Sequence, residues 1–252
     1  MNERYTIYER QTARALQRWE KELLKAPGML ERTSRSVQHR VNRVIPEKVH
    51  EAITVSVKSI VQTALFTMEY MPKGKPLTGL SLAARDQRAE ELLSLYKKVA
   101  AAEGAGTGAG GLLLGLADFP ILIGIKMKFL FELAHVYGFS TLDYRERLYI
   151  LYVFQLAFCS QVKKHGQFRI LADWPQLARQ LPPAEAFATQ INWRQLQQEY
   201  RDTIDFRKML QLVPGIGAII GAWANYGLLE ELGQTAMHAY RLRWLQQKDI
   251  DG

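Results

Sequence analysis

Two apolar segments in which glycines recur every four residues constrain this chain more than any other feature. In GAGTGAGGLLLGLA (104–117) the pairs Gly104–Gly108, Gly106–Gly110 and Gly111–Gly115 are four apart, and in VPGIGAIIGAWANYG (213–227) so are Gly217 and Gly221. In a helix that spacing lines the glycines into a row, along which a second helix can approach backbone to backbone. Each glycine costs roughly 1 kcal/mol of helix propensity against alanine, so such rows need close packing or an apolar environment to offset them. Asn225 continues the row of Gly217 and Gly221 and can hydrogen-bond across a helix interface. Residues 105–125 have about the length that spans a bilayer. Their single charge, Asp118, would cost roughly 2.5–3.5 kcal/mol near its centre, and Pro120 would break a continuous span. Insertion of 105–125 and 213–229, or a buried helical hairpin, are the two readings this leaves.

The rest of the chain reads as helix. Tyr5, Tyr8, Thr12, Leu16, Trp19 and Leu23 recur at steps of three and four, and Pro27-Gly28 ends that helix. A second helix is expected over 29–44. Pro46 opens a third, whose inward face is Val49, Ile53, Val57, Ile60, Ala64 and Met68. Residues 72–79 form a loop, and 82–103 an amphipathic helix through Leu92, Leu95, Tyr96 and Val99. Asp118 is placed to cap a helix over 118–138 with Pro120 in its first turn. Ser140 with Asp143 resembles a capping box for an apolar helix reaching about Val162. Trp174-Pro175 and Pro182-Pro183 make 166–190 an irregular connection with short helical pieces. Asn192 starts a polar helix to about Leu212, and 213–245 is one long helix. No stretch alternates with period two. The expectation is an all-α fold: one multi-helix domain over 1–252, with two glycine-rich apolar segments and basic amphipathic helices over 5–45.

Charge adds a surface. The net charge is +8, and the first fifty residues hold eleven Lys/Arg against six acids. Arg10, Arg14 and Arg18 form a ridge every four residues, followed by Lys21 and Lys25, beside the face that carries Trp19. Such a helix either packs its apolar stripe on a core or lies in a membrane interface. The expected partner is an anionic membrane surface or a membrane protein. Nucleic acid is not expected, because aromatic side chains do not interleave with the basic run as a stacking platform requires. The first residues lack the apolar core of a secretory signal, and Cys159, the only cysteine, lies in an apolar run. The expected location is the cytoplasm, at the inner face of the membrane.

Catalytic motifs are missing. Gly106, Gly108 and Gly111 match GxGxxG, but the element before them is helical, whereas a dinucleotide turn follows a strand. No P-loop, nucleophile elbow or HExxH is present, and no cofactor is expected. Glu47 with His50 and Glu132 with His135 have the Glu-x-x-His spacing of di-metal helical bundles. Glu47, however, sits in a first turn where an acid is favourable anyway. Lys128, Glu132 and His135 also read as one solvated stripe.

The stretches WEKELLKAPGMLERTSRSVQHRVNRVIPEKVHEAI, GAGTGAGGLLLGLADFPILIGIKMKFLFELAHVYG and VPGIGAIIGAWANYGLLEELGQTAMHAYRLRWL together resemble the EcsC protein family over nearly the whole chain. The family is named for a product encoded beside the ATPase and membrane subunits of an ABC transporter, in a locus linked to secretion and competence. The resemblance therefore implies a transport- or secretion-linked protein of unassigned activity. It carries over a set of typical positions for packing or interaction: Gly111, Gly115, Asp118 and Pro120, then Pro214, Gly217, Gly221, Trp223, Asn225, Tyr226 and Glu230. The alternative is a hydrolase-type enzyme or metal-binding bundle with a site near Asp118, Asn225 and Glu230.

Overall fold

The computed structural model describes residues 5–25, 61–66, 68–107, 111–184 and 218–251, with isolated positions between them, and their side chains except at 103–120, 218–225 and 251. Every regular element among these is an α-helix. They are α1 (Ile7–Leu23), α2 (Leu82–Thr107), α3 (Gly111–Val136), α4 (Tyr144–Phe158), α5 (Gln161–Ala172), α6 (Trp174–Gln180) and α7 (Ala218–Asp251). Residues 61–66 are also helical. The helices expected over 29–44 and 192–212 lie outside the described residues.

The long α7 is the spine. It packs most extensively along α2 and also touches α1, α3, α4 and α5. The aromatic heart is Tyr240 of α7, stacked on Tyr137 with ring centres 5.3 Å apart and met edge-on by Tyr149 at 5.4 Å. Phe129, Leu130, Phe131, Phe154 and Phe158 are fully enclosed around it. Such rings bury large areas and set their neighbours' angles, because offset and edge-on pairs are preferred.

Several boundaries differ from the sequence expectation, each for a local reason. α3 begins at Gly111 and runs through Asp118 and Pro120. Asp118 is therefore inside a helix rather than capping it, and Pro120 is not in the first turn; the apolar run 112–116 extends the helix backwards. Because α2 ends at Thr107, residues 105–125 straddle two helices and are not one span. Gly108 and Gly110, the second members of two of the glycine pairs, lie outside the described residues. No helix among the described residues is long and apolar enough to cross a membrane. Asp143, not Ser140, caps α4, accepting from the Arg145 amide at 2.9 Å. The apolar run is broken at Cys159, whose extended backbone lets Ser160 start α5. Regular helix then continues to Ala172, into the stretch read as irregular, and Pro175 opens α6 from its first turn.

The inward face of α2 is also rotated from expectation. Leu82, Arg85, Asp86, Ala89, Leu93, Tyr96 and Ala100 are buried, whereas Leu95 is 57% and Val99 39% exposed. Two charged residues disguised the true face. In the helix expected after Pro46, Ala64 is buried as expected and Met68 lies exposed, while Val61 and Leu65 also turn inward; Val49, Ile53, Val57 and Ile60 lie outside the described residues.

The end of α3 explains how the chain turns. Gly138, at φ +92°, closes it with the Phe139 amide donating to the Ala134 carbonyl at 2.9 Å and the Gly138 amide to the His135 carbonyl at 3.0 Å. This is the paired closure of a glycine-terminated helix. Arg85 reaches the same corner, donating to the Val136 carbonyl at 2.7 Å and the Leu77 carbonyl at 3.0 Å. A Cβ on Gly138 would lie 2.9 Å from Arg85 Nη1 and 3.0 Å from the Leu77 oxygen. Gly138→Ala is therefore expected to cost about 1–3 kcal/mol, as a strained backbone position does. Gly166→Ala, in α5 with nothing within 4 Å of the new Cβ, is expected to add about 0.5–1 kcal/mol. Urea-denaturation midpoints of the two variants should move in opposite directions.

Candidate functional site

Two buried carboxylates join the helices. Asp86 of α2 accepts from the Tyr137 hydroxyl, from the Tyr8 hydroxyl of α1 at 2.6 Å and from Arg241 Nε of α7 at 3.0 Å. Burial and the neighbouring Asp86 push the Tyr8 hydroxyl up to about 12. Glu146 of α4 accepts from the Tyr240 hydroxyl at 2.7 Å and Arg243 Nη1 at 2.5 Å. The Arg243 guanidinium lies over the rings of Phe139 and Tyr149, at 3.8 and 4.7 Å. Burial raises the Glu146 carboxyl, and Arg243 and the Tyr240 hydroxyl pull it back. These clusters tie α1, α2, α4, α7 and the end of α3 to one another.

The sequence-derived candidates fall into three places. Glu230 of α7 pairs with Lys97 of α2, whose ammonium sits 4.3 Å from the centre of the Tyr226 ring. Lys97 holds the Glu230 carboxyl below its usual range. Tyr226 and Glu230 thus share an α2–α7 contact. Of the other family-typical positions, Gly111, Gly115, Asp118 and Pro120 lie along α3 and Gly221, Trp223 and Asn225 along α7. The side chains of Asp118, Pro120, Trp223 and Asn225, and all of Pro214 and Gly217, are outside what is described. So are Glu47 and His50. No group of three or more His, Cys, Asp or Glu among the described residues is placed to share a metal ion.

The second place is α1. A capping box starts it, with the Glu9 amide donating to Thr6 Oγ1 and the Thr6 amide to Glu9 Oε2. Its inner side is tied to α7 by the Lys248–Glu9 pair at 2.7 Å and by the Tyr5 hydroxyl on Asp249 at 2.6 Å. Trp19 stacks on His238 at 4.8 Å and meets Phe168 edge-on at 5.7 Å. Trp19, grouped with the cations in the sequence, thus turns to the core. Arg14, Arg18, Lys21 and Lys25 are exposed and Arg10 is half-buried. Arg14, Arg18 and Lys21 line a shallow open surface with Gln11 and Gln17. Lys25 pairs with Glu22 at 3.6 Å.

The third place is a cleft of about 540 Å³ between the loop at 69–77, Leu92 of α2 and the last turns of α3. It collects Lys128, Glu132 and His135, the stripe read as solvated. Lys128 is exposed and Glu132 half-buried, but His135 is only 9% exposed. Glu132 accepts from the Tyr96 hydroxyl at 2.8 Å. The loop is pinned to α3 by the Leu77 amide on the His135 carbonyl at 2.9 Å. The imidazole is held by Thr141, whose amide donates to Nε2 at 3.3 Å and whose Oγ1 lies 2.9 Å from the same atom. Burial lowers the His135 pKa, countered in part by the Gly74 backbone and Glu132. Sequence reasoning missed Lys126, wholly enclosed on α3 and donating to the Leu122 carbonyl at 3.3 Å. Burial pushes its ammonium down to about 7. Its position between Ile125 and Met127 in an apolar run was the only signal.

A lowered folded pKa means that the native state binds fewer protons than the unfolded chain below pH about 6.5. His135 therefore contributes stability that is present above that pH and is lost as pH falls through its folded value. His238, lowered chiefly by burial, acts in the same sense, and Glu146, raised by burial, in the opposite one. The urea midpoint should fall less between pH 7 and 5.5 in His135→Gln than in the parent, which isolates the His135 share.

The model of the EcsC protein family matches residues 10–245. The chain is 44% identical over 229 residues to "Protein EcsC" of Bacillus subtilis (strain 168), covering 91% of this chain and 93% of that protein. It is 27% identical over 261 residues to "Uncharacterized protein YdbA" of the same organism, covering 94% and 93%. No solved structure matches it. The match spans α1 to α7, from the basic ridge to the tyrosine-arginine turn of the spine, and the chain belongs to the EcsC protein family.

Proposed function

We propose that this protein works at the anionic face of a membrane, or against a membrane protein complex seated there, as a transport- or secretion-linked peripheral component. The observation that carries the reading is the two-sidedness of α1. Its inner side is committed to α7 through Glu9, Leu16 and Trp19. Its outer side presents Arg14, Arg18 and Lys21, none of which has an ion pair among the described residues. Unpaired cations in a row attract anionic headgroups and lose that attraction to salt. Because the apolar stripe is occupied by the fold, docking by α1 is electrostatic and not insertion. A cytoplasmic location at the inner leaflet follows from the same reading, since that leaflet carries the anionic lipids.

The test is flotation of the purified protein with neutral and phosphatidylserine-containing vesicles at low and high salt. Recovery with anionic vesicles only, weakened by salt, is expected. Each basic residue near such a surface contributes about 1 kcal/mol, so Arg14→Gln, Arg18→Gln and Lys21→Gln together should weaken binding roughly 100-fold. Binding indifferent to lipid charge, or unchanged in the triple variant, would overturn the reading.

A further inference from the structure

We infer that the groove between α1 and α7 takes one acyl chain of an anionic phospholipid, whose phosphate-bearing headgroup rests on the basic ridge of α1. The inference deepens the membrane-surface reading of that ridge and rests on it. α1 and α7 run antiparallel, tied toward one end by the Tyr5 hydroxyl on Asp249 and toward the other by Trp19 on His238. Between those ties the two helices line the groove with matching stripes at steps of three, one and three: Ala13, Leu16, Gln17 and Glu20 on α1, and Leu242, Leu245, Gln246 and Asp249 on α7. Each stripe runs along about 10 Å of helix. Ala13 is the short member, and a volume of about 220 Å³ stays open along the seam. Trp19 and Phe168 join the three leucines in giving it apolar walls. Sites that enclose a whole small molecule have roughly 300–1,000 Å³, so this groove holds part of one. A narrow apolar slot of that length fits an extended hydrocarbon chain, and each buried methylene adds to its affinity.

Charge places the head. Gln17 lines both the groove and the ridge surface, so one side chain separates the two. Beyond Gln17 stand Arg14, Arg18 and Lys21, and no acid among the described residues lines that surface. Glu20 and Asp249, by contrast, line the groove itself. A fatty acid whose chain filled the groove would hold its carboxylate beside those two acids, which like charge disfavours. A phosphoglycerol head, set several atoms beyond the chain, clears them and meets the ridge. A zwitterionic head brings no net charge to the same cations. The occupant is therefore an anionic membrane phospholipid and not a free fatty acid.

The experiment uses the full chain with soluble probes that share a decanoyl chain: lysophospholipids with phosphoglycerol and phosphocholine heads, and decanoate itself. Calorimetry reads affinity. A phosphoglycerol probe brominated on its chain reads contact, because bromine quenches a tryptophan it touches, and Trp19→Phe singles out Trp19 among the five tryptophans. Saturable binding of the phosphoglycerol probe is expected, roughly tenfold or more tighter than the other two, with quenching that is lost in Trp19→Phe. Ala13→Leu fills the groove and leaves the ridge cations in place, and it should weaken that binding roughly ten- to a hundred-fold. Leu242→Phe fills the same space from α7 and should do likewise. Arg14→Gln with Lys21→Gln should instead lower the phosphoglycerol probe to the level of the phosphocholine one. Salt-sensitive flotation with anionic vesicles should survive Ala13→Leu, so a failed groove and a failed ridge give different results. Unchanged affinity in both filled variants, quenching that persists in Trp19→Phe, or decanoate bound as tightly as the phosphoglycerol probe would overturn the assignment. Flotation indifferent to lipid charge would overturn the ridge reading beneath it.

Discussion

One turn of α7 holds most of this molecule together. Tyr240, Arg241, Arg243 and Trp244 leave the same stretch of helix and reach three different elements: Glu146 on α4, Asp86 and Arg85 on α2, and the rings at the end of α3. The two carboxylates they meet are almost fully enclosed, at 3% exposure each. A charge in that position costs several kcal/mol to desolvate and is tolerated only with good geometry and satisfied lone pairs. Removing one partner from such a pair costs roughly 3–5 kcal/mol, because the other is stranded. The Tyr137, Tyr8 and Tyr240 hydroxyls satisfy the remaining acceptor capacity, so that the ties also specify which faces of α1, α2, α4 and α7 meet.

Those ties decide what is left for function. Because Asp86 holds the Tyr8 hydroxyl and α7 takes Glu9 and Trp19 inward, α1 has a single orientation, and Arg14 and Arg18 project away from the bundle. Beside Asp86 in the first turns of α2, Arg85 fixes the corner after α3 by binding carbonyls of Val136, Leu77 and Leu80. That corner draws the loop at 69–77 against α3 and leaves the cleft with His135 on its wall. A guanidinium serving three carbonyls adds to the backbone bond from the Leu77 amide to the His135 carbonyl. The outward ridge and the cleft are thus consequences of one buried polar framework.

The periodicity of α1 was legible because its inward stripe is aromatic and aliphatic, and the all-helical character was legible because no segment alternates. The inward face of α2 was not. Hydrophobic spacing pointed to Leu95 and Val99, yet the buried stripe runs through Arg85 and Asp86, whose long-range partners lie 51 to 155 residues away. The same holds for His135. Polar residues read as surface until a partner is known, and its partner Thr141 comes from the turn after α3. Asp118 misled in the opposite way: an acid before a proline resembles a helix start, and only the preceding run of leucines carried α3 back to Gly111.

What the sequence by itself determined is local: the helical period of the long segments, the cations along one side of α1, the glycines that end or thin helices, and the likeness to the EcsC family. These depend on residues within a few turns of one another, where spacing and geometry are linked directly. Only the tertiary structure decided which charges are buried, which side of α2 and α3 faces the core, and where the cleft opens. Those outcomes depend on pairing between distant segments. The energy of a desolvated ion pair or an enclosed imidazole is set by what surrounds it in space, and neighbouring letters do not encode that.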